Sequence, residues 1–142
     1  MNVAIGADHG GYDLKQEIIS LLESLGHEVE DVGCYSTESV DYPHFADAVC
    51  NRVIEHDSSF GILVCGTGIG MSMAANRSRK IRAALCHNEY TARMSREHND
   101  ANVLCLGARV LDSGVAKEII RVWLETEFSG ERHQQRIQQF SE

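Results

Sequence analysis

A cysteine followed at once by a glycine-rich loop is the feature of this sequence best suited to chemistry. Cys65 follows the apolar run Gly61–Val64, and Gly66, Gly68 and Gly70 come after it at alternate positions. Glycines at this spacing let backbone N–H groups converge on a ligand, and loop amides beside a helix start stabilise an anion. We therefore predict an enzyme that uses the Cys65 thiol beside an oxyanion.

The loop matches neither of two common phosphate-binding motifs. It lacks the Gly-Lys-Ser/Thr end of a Walker loop, and the dinucleotide fingerprint would need a glycine where the chain has Met71. A tight turn without chemistry is the alternative interpretation. Of the other cysteines, Cys50, Cys86 and Cys105 are predicted to be small buried hydrophobes, and Cys34 is predicted to be a loop thiol.

Polar residues also stand at the ends of the first and last predicted strands. Asp8 and His9 share the sheet edge of Cys65, where Asp8 suits sugar hydroxyls and His9 suits either a neutral hydrogen bond or a phosphate contact. A helix N-cap role for Asp8 is the alternative. His98 precedes the last strand and so lies at the opposite edge of a parallel sheet. A catalytic His98 is therefore expected to serve a neighbouring subunit, and a histidine without a role is the alternative.

The polar tail of the chain carries two arginines at helical spacing. Arg132 and Arg136 lie four residues apart, so a helix would present both guanidinium groups on one face as a fork for phosphate. A solvated helix face is the alternative. The tail from Arg132 to Phe140 has few apolar residues, and we expect it either to pack on a neighbouring subunit or to fray.

Short β-like runs alternate with segments of helical spacing along the whole chain. The β-like runs are Val3–Ala7, Glu28–Val32, Gly61–Val64, Arg82–Cys86 and Asn102–Gly107. The helical segments begin near Leu14, Tyr42, Met71, Asn88 and Ser113, with the tail as a sixth. The alternation predicts one α/β domain over residues 1–142, with a parallel sheet, helices on both faces and right-handed crossovers.

The composition is ordinary for a soluble globular domain and argues against several classes of protein. The formal net charge of −8 argues against a nucleic-acid partner. No apolar run approaches the roughly 20 residues of a membrane helix, and no signal peptide is visible. The five cysteines include no Cys-x-x-Cys pair, so we expect no disulfide framework, no structural metal site and a cytoplasmic location.

Five motifs together resemble one known family. They are Asp8-His9-Gly10-Gly11, Asp41-Tyr42-Pro43, the loop Cys65–Ser72 with Ala74-Ala75-Asn76, His98-Asn99 with Asn102, and Arg132–Arg136. In this order and spacing they closely resemble the type B ribose-5-phosphate isomerases, within the family that includes galactose-6-phosphate isomerase. Each motif alone is weak, but the set is specific, and the resemblance runs from Val3 to about Ile137.

The resemblance implies a fold, a reaction and an assembly. The fold would be a Rossmann-like three-layer sandwich with a five-stranded parallel sheet and a C-terminal helical tail. The reaction would interconvert ribose 5-phosphate and ribulose 5-phosphate through a cis-enediolate, a step of the pentose phosphate pathway, without metal or organic cofactor. The sites would be shared between the subunits of a homo-oligomer, a dimer or a tetramer, which agrees with the expected position of His98.

The resemblance also implies roles for individual residues. Cys65 would carry the proton between C2 and C1, and His98 would open the sugar ring. Thr67 and the amides of Gly66, Gly68 and Gly70 would hold the enediolate. The remaining residues would bind sugar hydroxyls or phosphate: Asp8, Tyr42 and Asn99 the hydroxyls, and His9, Arg132 and Arg136 the phosphate, with His133 and Arg109 as weaker candidates.

Several other functions are compatible with parts of the sequence. In the galactose 6-phosphate branch two different chains resemble half-sites, whereas this chain carries both sets, which favours the pentose reaction and a homo-oligomer. An isomerase of a six-carbon substrate, allose 6-phosphate or galactose 6-phosphate, is the nearest alternative. A cysteine-nucleophile acyl or phosphoryl transferase is a second, and a non-catalytic sugar-phosphate sensor is a third. The sensor would need an acidic phospho-acceptor cluster, which the sequence lacks.

Overall fold

The sheet of this protein contains five parallel strands, as the sequence predicts. The computed structural model describes all residues from 1 to 142. The strands are β1 (Asn2–Ala7), β2 (Glu28–Asp31), β3 (Phe60–Cys65), β4 (Ala83–Leu85) and β5 (Val103–Gly107), in the spatial order β2-β1-β3-β5-β4. Strand β4 is shorter than predicted, with Arg82 and Cys86 flanking it.

Six helices connect the strands and form the tail. They are α1 (Tyr12–Ser24), α2 (Tyr42–Ile54), α3 (Ile69–Ala75), α4 (Glu89–Glu97), α5 (Ser113–Glu125) and α6 (Arg132–Ile137). Local signals set three of their starts, because Asn88 and Asp112 cap α4 and α5 and Pro43 stands in the first turn of α2. None of the helices is both long enough and apolar enough to cross a membrane.

The helices cover both faces of the sheet, which produces the predicted three-layer sandwich. On one face, Trp123 of α5 belongs to the same buried apolar cluster as Ile5 of β1. On the other face, Val49 of α2 and Met71 of α3 cluster with Leu63 of β3. Because both faces are covered, the central strand β3 is a nearly continuous apolar run rather than an alternating one.

The strand order reverses between β1 and β3, and this reversal brings two of the predicted site segments together. After β1 the chain turns through α1 toward β2, whereas after β3 it turns through α3 toward the β5 side of the sheet. Ala7 pairs with Val64 in register, so Asp8 and Cys65 leave the sheet side by side. Open parallel sheets bind ligands in the crevice at such a reversal.

The C-terminal tail packs on its own chain. In α6, His133 and Ile137 are only 9% and 5% exposed. The N–H of Glu142 donates to the carbonyl of Arg79 at 2.9 Å, which fixes the end of the chain. The predicted alternative of a frayed terminus is therefore wrong, because burial and backbone hydrogen bonds hold the tail in place.

Candidate active site

Cys65 lies at the carboxyl end of β3, and the glycine loop folds back over its sulfur atom. The Gly68 N–H donates to Cys65 Sγ at 3.1 Å. Gly68 has a φ of +79°, and a Cβ there would lie 2.6 Å from Leu85 Cδ1 and 2.9 Å from the carbonyl carbon of Leu106. Only glycine combines this left-handed backbone with so close an approach. The contact between amide and sulfur therefore depends on glycine at position 68.

The loop combines buried amides with one exposed hydroxyl. Gly66 and Gly68 are buried, whereas Thr67 is exposed. Thr67 Oγ1 accepts the Ile69 N–H at 3.2 Å, so the hydroxyl hydrogen is free to donate to a ligand. Cys65 itself is 5% exposed, so the loop shields the sulfur atom from bulk water. In such a shielded place, hydrogen-bond donors act strongly on a developing anion.

Asp8 organises the loop that follows β1. Its Oδ1 accepts the N–H groups of Gly10 and Gly11, at 2.9 and 3.2 Å. The helix α1 has Gly11 as its N-cap, so the alternative interpretation of Asp8 as a helix cap is wrong. The second carboxylate oxygen, Oδ2, has no hydrogen-bond partner in the chain, although the residue is only 8% exposed. That oxygen is free to accept a hydrogen bond from a ligand hydroxyl.

His9 borders a cavity beside Asp8. Its Nδ1 accepts the Val40 N–H at 3.2 Å, so in the neutral ring the proton is on Nε2. The cavity has a volume of about 500 Å³ and is lined by Asp8, His9 and the segment 40–44. The imidazole is therefore fixed through one nitrogen, while the other remains a donor without a partner in the chain.

Tyr42 and Arg109 complete this first group of residues. A Cβ at Gly70 would lie 2.5 Å from Cε1 of Tyr42, so the phenol ring lies directly against the loop. A Cβ at Gly66 would lie 2.9 Å from Nη1 of Arg109, which places the guanidinium group over the start of the loop. Arg109 is exposed and forms no ion pair within the chain. The first half-site, as we call this group, consists of Asp8, His9, Tyr42, Cys65, residues 66–70 and Arg109.

His98 and His133 form the centre of a second group. His98 is the C-cap of α4, directly after its last residue, and His133 lies in the first turn of α6. Their rings stack with centroids 4.1 Å apart and planes inclined by 13°. The His98 side chain is 39% exposed, whereas His133 is buried. His133 is therefore the buried platform on which the exposed His98 ring lies.

Two arginines and one carboxylate flank this histidine pair, with Glu97 Oε1 3.9 Å from His98 Nε2. Arg132 and Arg136 are exposed, and neither forms an ion pair within the chain. Burial lowers the pKa of His133, and the charges of His98, Arg132 and Arg136 lower it further. We call His98, Arg132, His133 and Arg136 the second half-site. Its unpaired guanidinium groups suit a phosphate, which Arg binds through parallel hydrogen bonds.

The two half-sites lie at opposite edges of the sheet, as the sequence predicts. His98 comes shortly before Val103, where β5 begins, and Cys65 pairs in register with Gly107, where β5 ends. Five residues of strand separate these ends, a span of roughly 15 Å. A single sugar phosphate therefore cannot contact Cys65 and His98 of the same chain.

Asn99 is expected to bind sugar hydroxyls together with Asp8 and Tyr42, but it lies apart from both of them, directly after His98. Its side chain is exposed and lines a cavity of about 460 Å³ beside β4, together with Asn76 and Phe140. The carbonyl of Asn99 accepts a hydrogen bond from Arg82 Nε at 3.1 Å. Sequence reasoning gave Arg82 no role, because its partners are distant in the chain and no local pattern marks it.

The other four cysteines are free and buried, as predicted for three of them. Burial raises the pKa of Cys50 to about 12 and also raises that of Cys86. The fully buried Cys105 has a pKa well above the ordinary value. Cys34 lies in a loop, as predicted, but its side chain is buried as well. The raised pKa values favour the protonated form of Cys50, Cys86 and Cys105, and Cys65 is the thiol at the ligand-binding edge.

Comparison with known proteins connects this geometry to one family. The ribose/galactose isomerase family matches residues 3–140. Ribose-5-phosphate isomerase B of Escherichia coli is 47% identical over 96% of this chain and 91% of its own length. D-erythrulose-4-phosphate isomerase of Pectobacterium atrosepticum is 44% identical over 92% of this chain and 86% of its own.

The solved structures agree with the sequence relatives. Ribose-5-phosphate isomerase B of Clostridium thermocellum superposes with a TM-score of 0.97 at 51% identity. The match covers 98% of this chain and 94% of that one, so the loops that carry both half-sites fall within it. With this match in fold and the family match over residues 3–140, the chain belongs to the ribose/galactose isomerase family.

Proposed function

We propose that this protein interconverts ribose 5-phosphate and ribulose 5-phosphate, with Cys65 as the base, at a site that a second copy of the chain completes. The observation that carries the proposal is the division of the polar residues into two half-sites at opposite ends of β5. One has the thiol and the loop amides, and the other has the exposed histidine and the arginine pair. The second half-site has no thiol and no glycine loop, and the first has a single arginine, Arg109, rather than an arginine pair.

The first half-site is suited to proton transfer next to a carbonyl. The thiolate of Cys65 takes the proton from C2 of the open-chain sugar, and the electron pair left at C2 forms the C1–C2 double bond. The negative charge moves to the oxygen on C1, where the Thr67 hydroxyl and the loop amides that do not already donate to Cys65 Sγ or Thr67 Oγ1 can donate. Each fixed donor of this kind contributes about 3 kcal/mol in a shielded site. The resulting thiol then returns its proton to C1, while the hydroxyl proton on O2 moves to O1.

The second half-site, from the partner copy, is suited to ring opening and phosphate binding. His98 can exchange a proton with the ring oxygen, because a neutral imidazole has one nitrogen that donates and one that accepts. Arg132 and Arg136 hold the phosphate, which does not react. The phosphate binding energy keeps the sugar in register with Cys65 and so lowers the barrier indirectly.

The proposal also specifies the number of carbons in the sugar. The relatives include enzymes named for a five-carbon and a four-carbon sugar phosphate. We favour the five-carbon substrate, because both half-sites reside on one chain and the similar solved structures are named for ribose 5-phosphate. The five free cysteines fit a reducing compartment, so we place the reaction in the cytoplasm.

The experiment that tests this function is an assay of ketose formation from four-, five- and six-carbon aldose phosphates. Ribose 5-phosphate should give the highest kcat/KM. Cys65→Ala should reduce kcat by at least about a thousandfold, whereas Cys50→Ala, which removes a thiol from α2, should keep most of the activity. A Cys65→Ala variant with more than about a tenth of the parent kcat would exclude Cys65 as the base.

A further inference from the structure

Arg82 links two parts of the chain that carry the second half-site. We propose that Arg82 is a positioning residue, which fixes α6 and its arginine pair relative to His98. The proposal rests on the proposed function, since it concerns how the ring-opening histidine and the phosphate-binding residues keep their spacing. The Arg82 side chain is only 16% exposed, so its donors face the protein rather than solvent.

One side of the Arg82 guanidinium group holds the turn after His98. Its Nε donates to the carbonyls of Asn99 and Asp100, at 3.1 and 3.0 Å. Its Nη2 lies 3.5 Å from Asp100 Oδ2, and Arg96 Nη1 donates to the other oxygen of the same carboxylate at 3.0 Å. Two arginines therefore bind the residues that directly follow His98 and hold them in place.

The other side of the guanidinium group holds the end of the tail. Arg82 Nη1 donates to Ser141 Oγ at 2.8 Å. The Ser141 N–H in turn donates to the carbonyl of Ile137, the last residue of α6, at 3.0 Å. Ser141 Oγ donates onward to the carbonyl of Arg79 at 3.0 Å. Through Ser141, Arg82 thus fixes the end of α6 that carries Arg136.

The beginning of α6 has a separate anchor. The Ser129 N–H donates to the carbonyl of Glu97, the residue before His98, at 3.0 Å. The short helix is therefore tied on both sides to the end of α4. The stacking of His98 on His133 at 4.1 Å is the geometry that these two ties preserve.

Arginine is the residue that this position requires. Its planar fork donates in fixed directions from three nitrogens, so one side chain can reach two backbone carbonyls and a serine at once. Lysine keeps the charge for Asp100 but donates from a single nitrogen. The backbone of residue 82 is fixed independently, because its N–H donates to Asn102 Oδ1 at 2.8 Å. A change at the side chain should therefore move α6 and leave the sheet in place.

The test compares Arg82→Lys and Ser141→Ala with a matched control, Arg121→Lys, in which the arginine pairs only with Glu118 on the same helix. Loss of the link should raise KM for ribose 5-phosphate, and the inhibition constant of inorganic phosphate, by about tenfold, as expected for one charged hydrogen bond. The kcat should fall by less than about threefold, since Cys65 is untouched. The control should show no change in either constant.

A second measurement, by proton NMR, reports the stacking of His98 on His133 without substrate turnover. Stacked rings shift each other's proton NMR signals upfield, so the ring protons of His98 and His133 report the contact. Both link variants should lose part of this shift, and Arg121→Lys should keep it. Unchanged ring signals in Ser141→Ala would overturn the positioning role, even if Arg82→Lys fails to fold. Absence of isomerase activity in the parent protein would count against the proposed function alone, because the NMR result still decides on Arg82.

Discussion

A side chain at position 70 would collide with Tyr42. A substitution at Gly70 therefore tests the role of Tyr42 without any change to Tyr42 itself. A Cβ at Gly70 would lie 2.5, 2.6 and 2.9 Å from Cε1, Cζ and the hydroxyl oxygen of Tyr42. These atoms are the free end of a half-buried side chain, so the ring can swing out of the site. We expect Gly70→Ala to displace the phenol from the sugar.

The stability of the Gly70→Ala protein should hardly change. Position 70 is inside α3, where alanine is favoured over glycine by about 0.5–1 kcal/mol, and this gain offsets the cost of moving the ring. The kcat/KM for ribose 5-phosphate should fall by up to about tenfold, the value of one neutral hydrogen bond to substrate. Gly107→Ala is the contrasting case, because its Cβ would lie 2.5 Å from the backbone oxygen of Thr67. Backbone cannot swing away, so that variant should lose about 1–3 kcal/mol of unfolding free energy.

Steady-state kinetics and urea unfolding of Gly70→Ala, Tyr42→Ala and the double variant check this reasoning. If Gly70 acts through Tyr42, the double variant should have the kcat/KM of Tyr42→Ala alone. Multiplication of the two effects would show that they are independent and would refute the explanation. Full activity of Gly70→Ala would show that the phenol makes no contact with the sugar.

Burial shifts the pKa values of His133 and of three cysteines, and both shifts have consequences that can be measured. Because the pKa of His133 is lowered from 6.5 in the folded chain, the unfolded chain binds more protons in the range just below pH 6.5, so the unfolding free energy should decrease as the pH falls through that range. His133→Gln should weaken this decrease in a series of denaturant titrations, and an identical slope would exclude His133 as its source. At about pH 8, iodoacetamide should leave Cys50, Cys86 and Cys105 unmodified, because burial raises the pKa of each thiol. Mass spectrometry should find Cys65 alkylated and protected by ribose 5-phosphate, and modification of Cys105 in the folded protein would contradict its burial.

Much of the fold follows from local patterns. Apolar runs and helical spacing locate all five strands and the connecting helices, because each element buries a face with its own period. The start of α3 was predicted at Met71, but the helix begins at Ile69. The loop ends at Gly68, whose left-handed conformation leaves no trace in the apolar pattern. The order of the strands is set by which crossovers pack together, and no single segment contains that information.

The chemical groups of the site were easier to predict than their supports. Cys65 and His98 could be placed at opposite sheet edges, because each residue's edge follows from its position after or before a strand. Arg82 was missed, since it joins Asn99 to Ser141, and Ser141 lies 59 residues after Arg82 in the chain. The platform role of His133 was also missed, because stacking between α4 and α6 depends on the tail folding back. Contacts between residues so far apart in the sequence form only when the whole chain packs, so no local pattern predicts them.

The sharing of the site between two chains is the central claim, and mixed oligomers test it most directly. Cys65→Ala and His98→Asn proteins should each be nearly inactive. After unfolding and refolding together in equal amounts, a mixed pair has one site with both residues intact and one site with neither. Random pairing of the two chains should therefore restore about a quarter of the parent activity. No recovery from the mixture, with mixed pairs shown by mass spectrometry, would contradict a site built from two copies.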